Sequence, residues 1–475
     1  MNYLFRPLSV AIALCLGSIS SQADTLVDVY ELALKNDAKL KSAEATYRAN
    51  IETENQAFSA LLPQINATGE YSETDSSSSS ARFFELDNDL IPSRSDDDID
   101  SDSTTITVSL QQTLFDLSTW FTFKRGKEIT KQAEAQLAAD QQDLIVRVAE
   151  AYFDVLRALD NLEASKAEER ATKRQLEQTQ QRFDVGLIAI TDVHEARAVY
   201  DTTVVQRLTD EGNLGTSYES LTVLTGQMPS NLWLLNKDFP VVDPTPMNRD
   251  EWVQFALKNN NALKAALYAM EAAKQNASAK KMGHAPTLTG SIIYTDYSED
   301  GDNISNINNA VKPFETETDG YTWGVKLTVP LYSGGGVSAS RRQAYEQYNV
   351  ALQNQIDAQR TVIRNARASH ITVATDVQRV KARNQAIIST SSALDATEAG
   401  YEVGTRNIVD VLQAQRNLYS SIRDYANSRY DYVLNMLKLK RAAGTLSPQD
   451  MYDINKWMVA PGAASANQYK EFLDR

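Results

Sequence analysis

The 475-residue chain carries 62 acidic against 47 basic residues, a formal charge of −15, and a balance of that sign excludes a nucleic-acid-binding protein, which presents basic patches. Hydrophobic residues make up 42% of it, ordinary for a folded protein, yet beyond the N-terminus no run reaches 18 consecutive apolar residues, so no transmembrane helix is predicted. Cys15 is the only cysteine, which excludes an internal disulfide and a thiolate metal cluster.

In chain order, Met1 to Arg6 bears one positive charge, Leu8 to Leu16 is apolar, and Ser21-Gln22-Ala23 places small residues at positions −3 and −1 of a cleavage site. The pattern predicts a signal peptide over residues 1–23, since its apolar run is too short for a bilayer, which takes about 20 residues. Cys15 follows Leu14 and not the small residue that lipid modification needs, so the exported chain is expected to hold no thiol.

Thr25 to Leu61 reads as a helix. After Pro63 a strand follows, with Ile65, Ala67, Gly69 and Tyr71 on one face; a polar loop from Ser72 to Ser103 holds ten Asp or Glu against Arg82 and Arg94. In the next strand Ile106, Val108, Leu110 and Leu114 alternate with Thr105, Thr107, Ser109, Gln111 and Thr113. Runs of about 10 residues with one apolar face mark membrane-spanning β-barrel strands; a half-buried sheet in a soluble sandwich alternates in the same way.

A long helix is predicted from Ser118 to Phe183, about 100 Å at 1.5 Å per residue, then a turn at Val185-Gly186-Leu187 and a shorter helix from Asp192 to Thr225. Two apolar stripes run along the long helix: Leu144, Val148, Ala151, Val155, Ala158 and Leu162, beside Ile145, Ala149, Tyr152, Leu156 and Leu159. Both keep coiled-coil spacing. Two seams let a helix pack on a neighbour to either side, as in a cylinder wall; the wide core face of a bundle gives the same pattern. No proline falls between Pro92 and Pro229 or between Pro330 and Pro448, where one inside a helix would cost about 3 kcal/mol.

The second half repeats the first. Ala33-Leu34-Lys35-Asn36 recurs as Ala256-Leu257-Lys258-Asn259, Pro63 as Pro286, Phe183-Asp184-Val185-Gly186 as Tyr401-Glu402-Val403-Gly404, Asp192-Val193 as Asp410-Val411, and Gly226 as Gly444. Matches in one order at a nearly constant offset predict one unit used twice, over 24–240 and 241–446, with a C-terminal tail over 447–475. The second copy's strands contain Leu288, Gly290, Ile292 and Tyr294, then Tyr321, Trp323, Val325, Leu327, Val329 and Leu331, flanking an acidic loop from Thr295 to Gly320. Four strands cannot close a barrel and open edges are not tolerated in lipid, so copies of the chain must pool them.

Catalytic groupings do not emerge. His194, His284 and His370 are scattered; His370 corresponds to Tyr152, a stripe position, and reads as a packing residue. Gly334-Gly335-Gly336 lacks the lysine and spacing of a phosphate loop and reads as the joint where strand becomes helix. Neither enzyme activity, a cofactor nor a metal is predicted.

Leu61-Leu62-Pro63-Gln64, Gln112-Thr113-Leu114-Phe115-Asp116, Arg182-Phe183-Asp184-Val185-Gly186-Leu187 with Ala189-Ile190-Thr191-Asp192-Val193, and Ala399-Gly400-Tyr401 through Val409-Asp410-Val411-Leu412 carry a resemblance to the TolC family of outer-membrane export proteins. It covers about Thr25 to Leu446 and lies with the family's unlipidated branch. The resemblance implies an α+β membrane protein: a homotrimer whose twelve strands, four per chain, form one β-barrel in outer-membrane lipid, continued across the periplasm by a long α-helical coiled-coil barrel. It further implies docking on a periplasmic adaptor protein and an inner-membrane pump. Such a duct is passive, opens at its periplasmic end, and exports drugs, toxic compounds or polypeptides in a tripartite efflux pump or type I secretion system. The tail from Ala460 to Arg475 is then expected to be poorly ordered or packed outside the tube.

Carried over residue by residue, Asp410 matches an acidic ring at the periplasmic aperture, where three carboxylates would gather cations. Spacing alone reads Asp410 with Gln413, and Asp192 with Glu195, as helix N-caps with their capping-box partners. Gln413 stands where the family often has a second acid, so trivalent cations are expected to block this channel poorly. Tyr401 and Arg406 match residues that hold the closed end together, with Gln181, Thr191 and Asp192 as expected partners; solvated turn residues are the alternative. Gly186 with Leu187, and Gly404 with Thr405, end the long helices in turns where glycine suits the left-handed conformation; by resemblance these tips also meet the adaptor. A periplasm-spanning tether and a surface receptor acting through the acidic loops stay open as other functions.

Overall fold

A computed structural model describes residues 24–86, 89–229, 231–305, 307 and 310–462. The signal peptide expected over 1–23 and the tail beyond Gly462 lie outside the described residues. The elements run α1 (Leu26–Asn36), α2 (Ala38–Ser59), β1 (Gln64–Leu86), β2 (Asp89–Phe115), α3 (Leu117–Asp184), α4 (Ile190–Thr225), β3 (Leu234–Leu235), α5 (Arg249–Asn259), α6 (Asn261–Lys281), β4 (Thr287–Ser305), β5 (Ala310–Thr328), α7 (Gly336–Glu402), α8 (Ile408–Ala442), α9 (Pro448–Asn455) and β6 (Met458–Val459). Two compact units divide the chain: Met1–Glu44, Leu137–Asn261 and Gln359–Arg475 form one, Ala45–Gln136 and Ala262–Ala358 the other.

Helices make the first unit. Both predicted stripes of α3 are buried in the chain's own core, with Leu144, Val148, Val155, Ala149, Tyr152 and Leu156 fully enclosed and Ala151 and Leu159 packed against them. On one side α3 meets α4 through a hydroxyl pair, Thr172–Thr203 at 2.9 Å, and the Arg207–Glu169 ion pair at 2.6 Å. On another it meets α8 through a ladder of polar pairs: Arg423–Glu168 at 2.8 Å, Tyr430–Asp160 at 2.6 Å, Arg157–Asp431 at 2.8 Å and Lys438–Glu150 at 2.7 Å. Burial pushes the Asp160 carboxyl up to about 6, because a charge there gives up water for one phenol hydroxyl and the more distant Arg429.

The expected single helix from Thr25 to Leu61 is broken. Asp37 leaves the helical region at ψ 115°, and its carboxylate accepts the Leu40 amide at 2.6 Å while Arg147 donates two bonds at 2.7 and 3.2 Å. An aspartate that bonds its own backbone competes with helix continuation. Asn260 makes the same break between α5 and α6, at ψ 118°. The tail also gains structure at its start: Ser447 and Asp450 box the first turn of α9, and β6 pairs with β3 through Leu235 and Met458.

The second unit is built on one antiparallel sheet of order β1-β2-β4-β5. The acidic stretches expected to be loops are instead hairpin arms: β1 pairs with β2 from Gln64↔Gln111 to Leu86↔Asp89, and β4 with β5 from Thr287↔Thr328 to Ser305↔Ala310. Sequence periodicity misses the arms because both of their faces are polar, whereas a ladder needs only backbone groups. The register also sorts the side chains. Ile65, Leu110, Ile292 and Trp323 share a row on one face; Ala67, Val108, Tyr294 and Tyr321 form the next. Further along that face lies an acidic row, Glu73, Asp102, Asp300 and Glu315, whereas the opposite face bears Thr68, Thr107 and Thr295 in one row. Trp323 is 80% exposed and Val325 64%, so among the described residues nothing covers them on the apolar face.

Candidate gating site at the helical turns

Each long helix ends in the same backbone device. At the α3–α4 turn the Gly186 amide donates to Phe183 O at 2.8 Å and the Leu187 amide to Arg182 O at 2.9 Å; at the α7–α8 turn Gly404 donates to Tyr401 O at 3.1 Å and Thr405 to Gly400 O at 2.9 Å. Gly186 and Gly404 have φ of 79° and 78°, the left-handed geometry of this cap. Apolar residues beside them stay uncovered: Val185 is 71% exposed, Leu187 72% and Val403 75%. The apolar contact that usually closes such a motif within the chain is therefore not made at Leu187.

Beyond the turns the copies differ. Asn407 caps α8, its side chain accepting the Asp410 amide at 2.9 Å while the Asp410 carboxylate reaches back to the Asn407 amide at 3.4 Å. Asp410 is thus the inner half of the capping box, not its N-cap. Its duplicate Asp192 is no cap either, because α4 begins behind Ala189, which has no side-chain acceptor. Asp410 also lies 3.8 Å from the Arg406 guanidinium, and Gln413, one turn on, donates to Asn417 at 2.8 Å.

The expected latch partners are only partly brought together. Thr191 donates to Asp192 at 3.4 Å, and Arg406 turns to Asp410; no hydrogen bond or ion pair among the described residues joins Tyr401 or Arg406 to Gln181, Thr191 or Asp192. Tyr401 instead takes the Arg182 guanidinium over its ring at 4.8 Å, with its hydroxyl enclosed and unpartnered. Arg182 was legible only as part of a motif; its stacking partner sits over two hundred residues away. Gly400 is a second position that spacing could not reveal. A Cβ there would meet the Arg406 Cγ at 2.9 Å, so a side chain at 400 would push Arg406 from its place along the end of α7. Arg182 and Tyr401 also line a cleft of about 270 Å³ together with Glu398 and Gln415, the buried Gln415 amide donating to Glu398 at 3.4 Å. His370, half-exposed, meets the carbonyl of Met247, in the link before α5, at 3.1 Å.

Long paired helices ending in matched turns, and a sheet with one uncovered apolar face, define an outer-membrane export channel component. The family model described as outer membrane efflux protein matches residues 29–227 and 252–445. Outer membrane protein TolC of Vibrio cholerae serotype O1 is 40% identical over 94% of this chain and 97% of its own, and TolC of Escherichia coli K12 is 35% identical over 96% and 89%. Among solved structures, the outer membrane protein VceC from Vibrio cholerae superposes with a TM-score of 0.70 at 19% identity, over 88% of this chain and 96% of that one; this likeness concerns the fold. The chain belongs to the outer membrane efflux protein family, and its place is the outer membrane with an extension into the periplasm.

Proposed function

We propose that three copies of this chain, each a twofold repeat, close one twelve-stranded barrel and one helical tunnel, forming a passive duct that an adaptor and an inner-membrane pump open at its periplasmic end. The observation that carries this reading is the four-stranded sheet with β1 and β5 as its open edges and an apolar face left exposed. Unpaired strand edges are ruinous in hydrocarbon, and pairing β5 of one copy with β1 of the next removes every edge at once. Drugs, toxic compounds and secreted polypeptides are the cargo, chosen by the pump that delivers them, because an open duct has no means of selection of its own. Uncovered Val185, Leu187 and Val403 at the tips offer the adaptor an apolar contact, which a side chain at Gly186 or Gly404 would hold off.

The closed state rests on weak contacts at the turns, which suits a gate. A cation over an aromatic ring is worth about 0.5–1 kcal/mol at an exposed site, and exposed ion pairs such as Arg406–Asp410 about as little. In planar bilayers the parent is expected to conduct weakly, and Arg182→Ala combined with Tyr401→Phe and Arg406→Glu to conduct several-fold more. A parent that forms no channel would leave the tether reading, and an unchanged conductance in the triple variant would remove the latch.

At the aperture, Asp410 supplies one carboxylate per chain and Arg406 offsets part of its field. Trivalent cations are accordingly expected to block the parent poorly and Arg406→Ala more tightly, with Asp410→Ala abolishing what block remains. Tight block of the parent that survives Asp410→Ala would mean that the ring lies elsewhere.

A further inference from the structure

We infer that the cleft between the end of α6 and the start of α7 holds the phosphate of an anionic phospholipid in the periplasmic leaflet. The cleft measures about 620 Å³ and is lined by Lys274, Lys281, Arg341, Arg342, Tyr345 and Tyr348, with small Ala277 and Ser278 between them; its one acidic side chain, Glu346, accepts from the Asn349 amide at 3.0 Å, so four cations face a single carboxylate. Lys274 is paired with Glu271 at 3.1 Å, whereas Lys281, Arg341 and Arg342 are all exposed and have no acidic partner among the described residues. The turn Met282–His284, between α6 and β4, packs closely on the start of α7 and fixes one end of the cleft: a Cβ on Gly283 would lie 2.8 Å from Val337 Cγ1.

Position and chemistry point to a lipid phosphodiester. The cleft lies at the foot of the apolar sheet face, since Lys281 precedes β4 by a single turn and α7 follows shortly after β5. Leu331 and Tyr332, in the link between β5 and α7, are 89% and 85% exposed, as residues bathed in acyl chain and headgroup would be. An arginine fork matches phosphate oxygens in bidentate fashion, a lysine adds a mobile point charge, and tyrosines sit well at the headgroup level. The first copy has Lys124 and Arg125 at the positions matching Arg341 and Arg342, but its surroundings differ. There Lys124 and Lys127 lie over the rings of Trp120 and Phe123, at 5.6 and 4.6 Å, and the facing end of α2 carries Glu52 and Glu54, whereas that of α6 carries Lys274 and Lys281. One lipid per chain is therefore expected, not two.

This inference rests on the sheet lying in the membrane, which bilayer conductance tests separately. The purified protein would be delipidated and titrated with short-chain phosphatidylglycerol, phosphatidylcholine and inorganic phosphate, counting bound lipid by native mass spectrometry. The expected result is one phosphatidylglycerol per chain, and Arg341→Gln with Arg342→Gln weakening it about tenfold or more. Conductance should stay unchanged in that variant, and Lys124→Gln with Lys127→Gln should leave lipid binding unaffected. Equal affinity for phosphatidylcholine, or phosphatidylglycerol binding indifferent to the arginines, overturns the site while leaving the channel reading intact. Saturation by inorganic phosphate with no preference for lipid overturns the lipid assignment. A parent that neither inserts nor conducts defeats both.

Discussion

Arg147→Ala is expected to lower the stability of the helical unit by about 3–5 kcal/mol, the range for removing one partner of a buried ion pair. Arg147 donates two bonds to Asp37 and a third to Asp143 at 3.1 Å, and the Asp37 side chain is only 4% exposed. Without the guanidinium, that carboxylate stays buried at the break between α1 and α2 with only backbone amides to hold its charge. Burial by itself raises the Asp37 carboxyl, but the bond from Arg147, the Leu40 amide and the charge of Arg147 outweigh it, and the net shift is downward. A folded-state value below the unfolded one contributes stability that is present above about pH 4 and is lost as the pH falls through the folded value. The gap between parent and Arg147→Ala should thus be wide at pH 7 and close progressively below pH 4. Thermal unfolding in detergent across that range measures it. Asp37→Asn in the Arg147→Ala background should recover part of the loss, and Lys39→Ala, on a 67% exposed side chain, should change little. A gap independent of pH would mean that packing, not charge, accounts for Arg147.

Gly444→Ala should be comparably severe, and its duplicate Gly226→Ala mild. Both glycines follow a helix with positive φ, 72° and 73°, so each alanine carries the backbone strain of about 1 kcal/mol that this conformation imposes on a side chain. They differ in what the new Cβ meets. At Gly444 it would lie 2.4 Å from the Asn259 carbonyl carbon and 2.6 Å from the Asn260 amide nitrogen; at Gly226 the nearest atom is Asn36 Cβ at 3.4 Å. Backbone cannot step aside as a side chain can, so the α8–α5 packing must open and a loss of about 3 kcal/mol or more follows. Asn260 also donates its side-chain amide to Ala442 O at 3.0 Å, a bond that goes with it. Equal effects of the two alanines on the unfolding midpoint would contradict this account.

Much of the architecture was legible in one dimension because its signals are local. The long helices announced themselves by two stripes and an absence of proline, and α3 differs from the expected 118–183 by one residue at each end. Glycines at the two turns, the joint before α7 and the apolar faces of the strands were readable for the same reason. The helix breaks at Asp37 and Asn260 were not, since an aspartate or asparagine inside a polar stretch has no period to disturb. The hairpin arms escaped because serine and aspartate on both faces look like loop.

The gating residues divide along the same line. Sequence by itself determined the matched motifs, the tip glycines and the divergence of Tyr401 and Arg406 from Phe183 and Ile188, with the aspartate kept at 192 and 410, since these are comparisons between positions of a string. Only the tertiary structure decided which groups meet: Arg182 over Tyr401, Arg406 on Asp410 across the space that Gly400 leaves, and Asn407 as the cap to whose amide Asp410 reaches back. The reason is physical. A side chain's partner depends on the relative rotation of packed helices and on the room left between them, and neither is encoded in the spacing along any one helix.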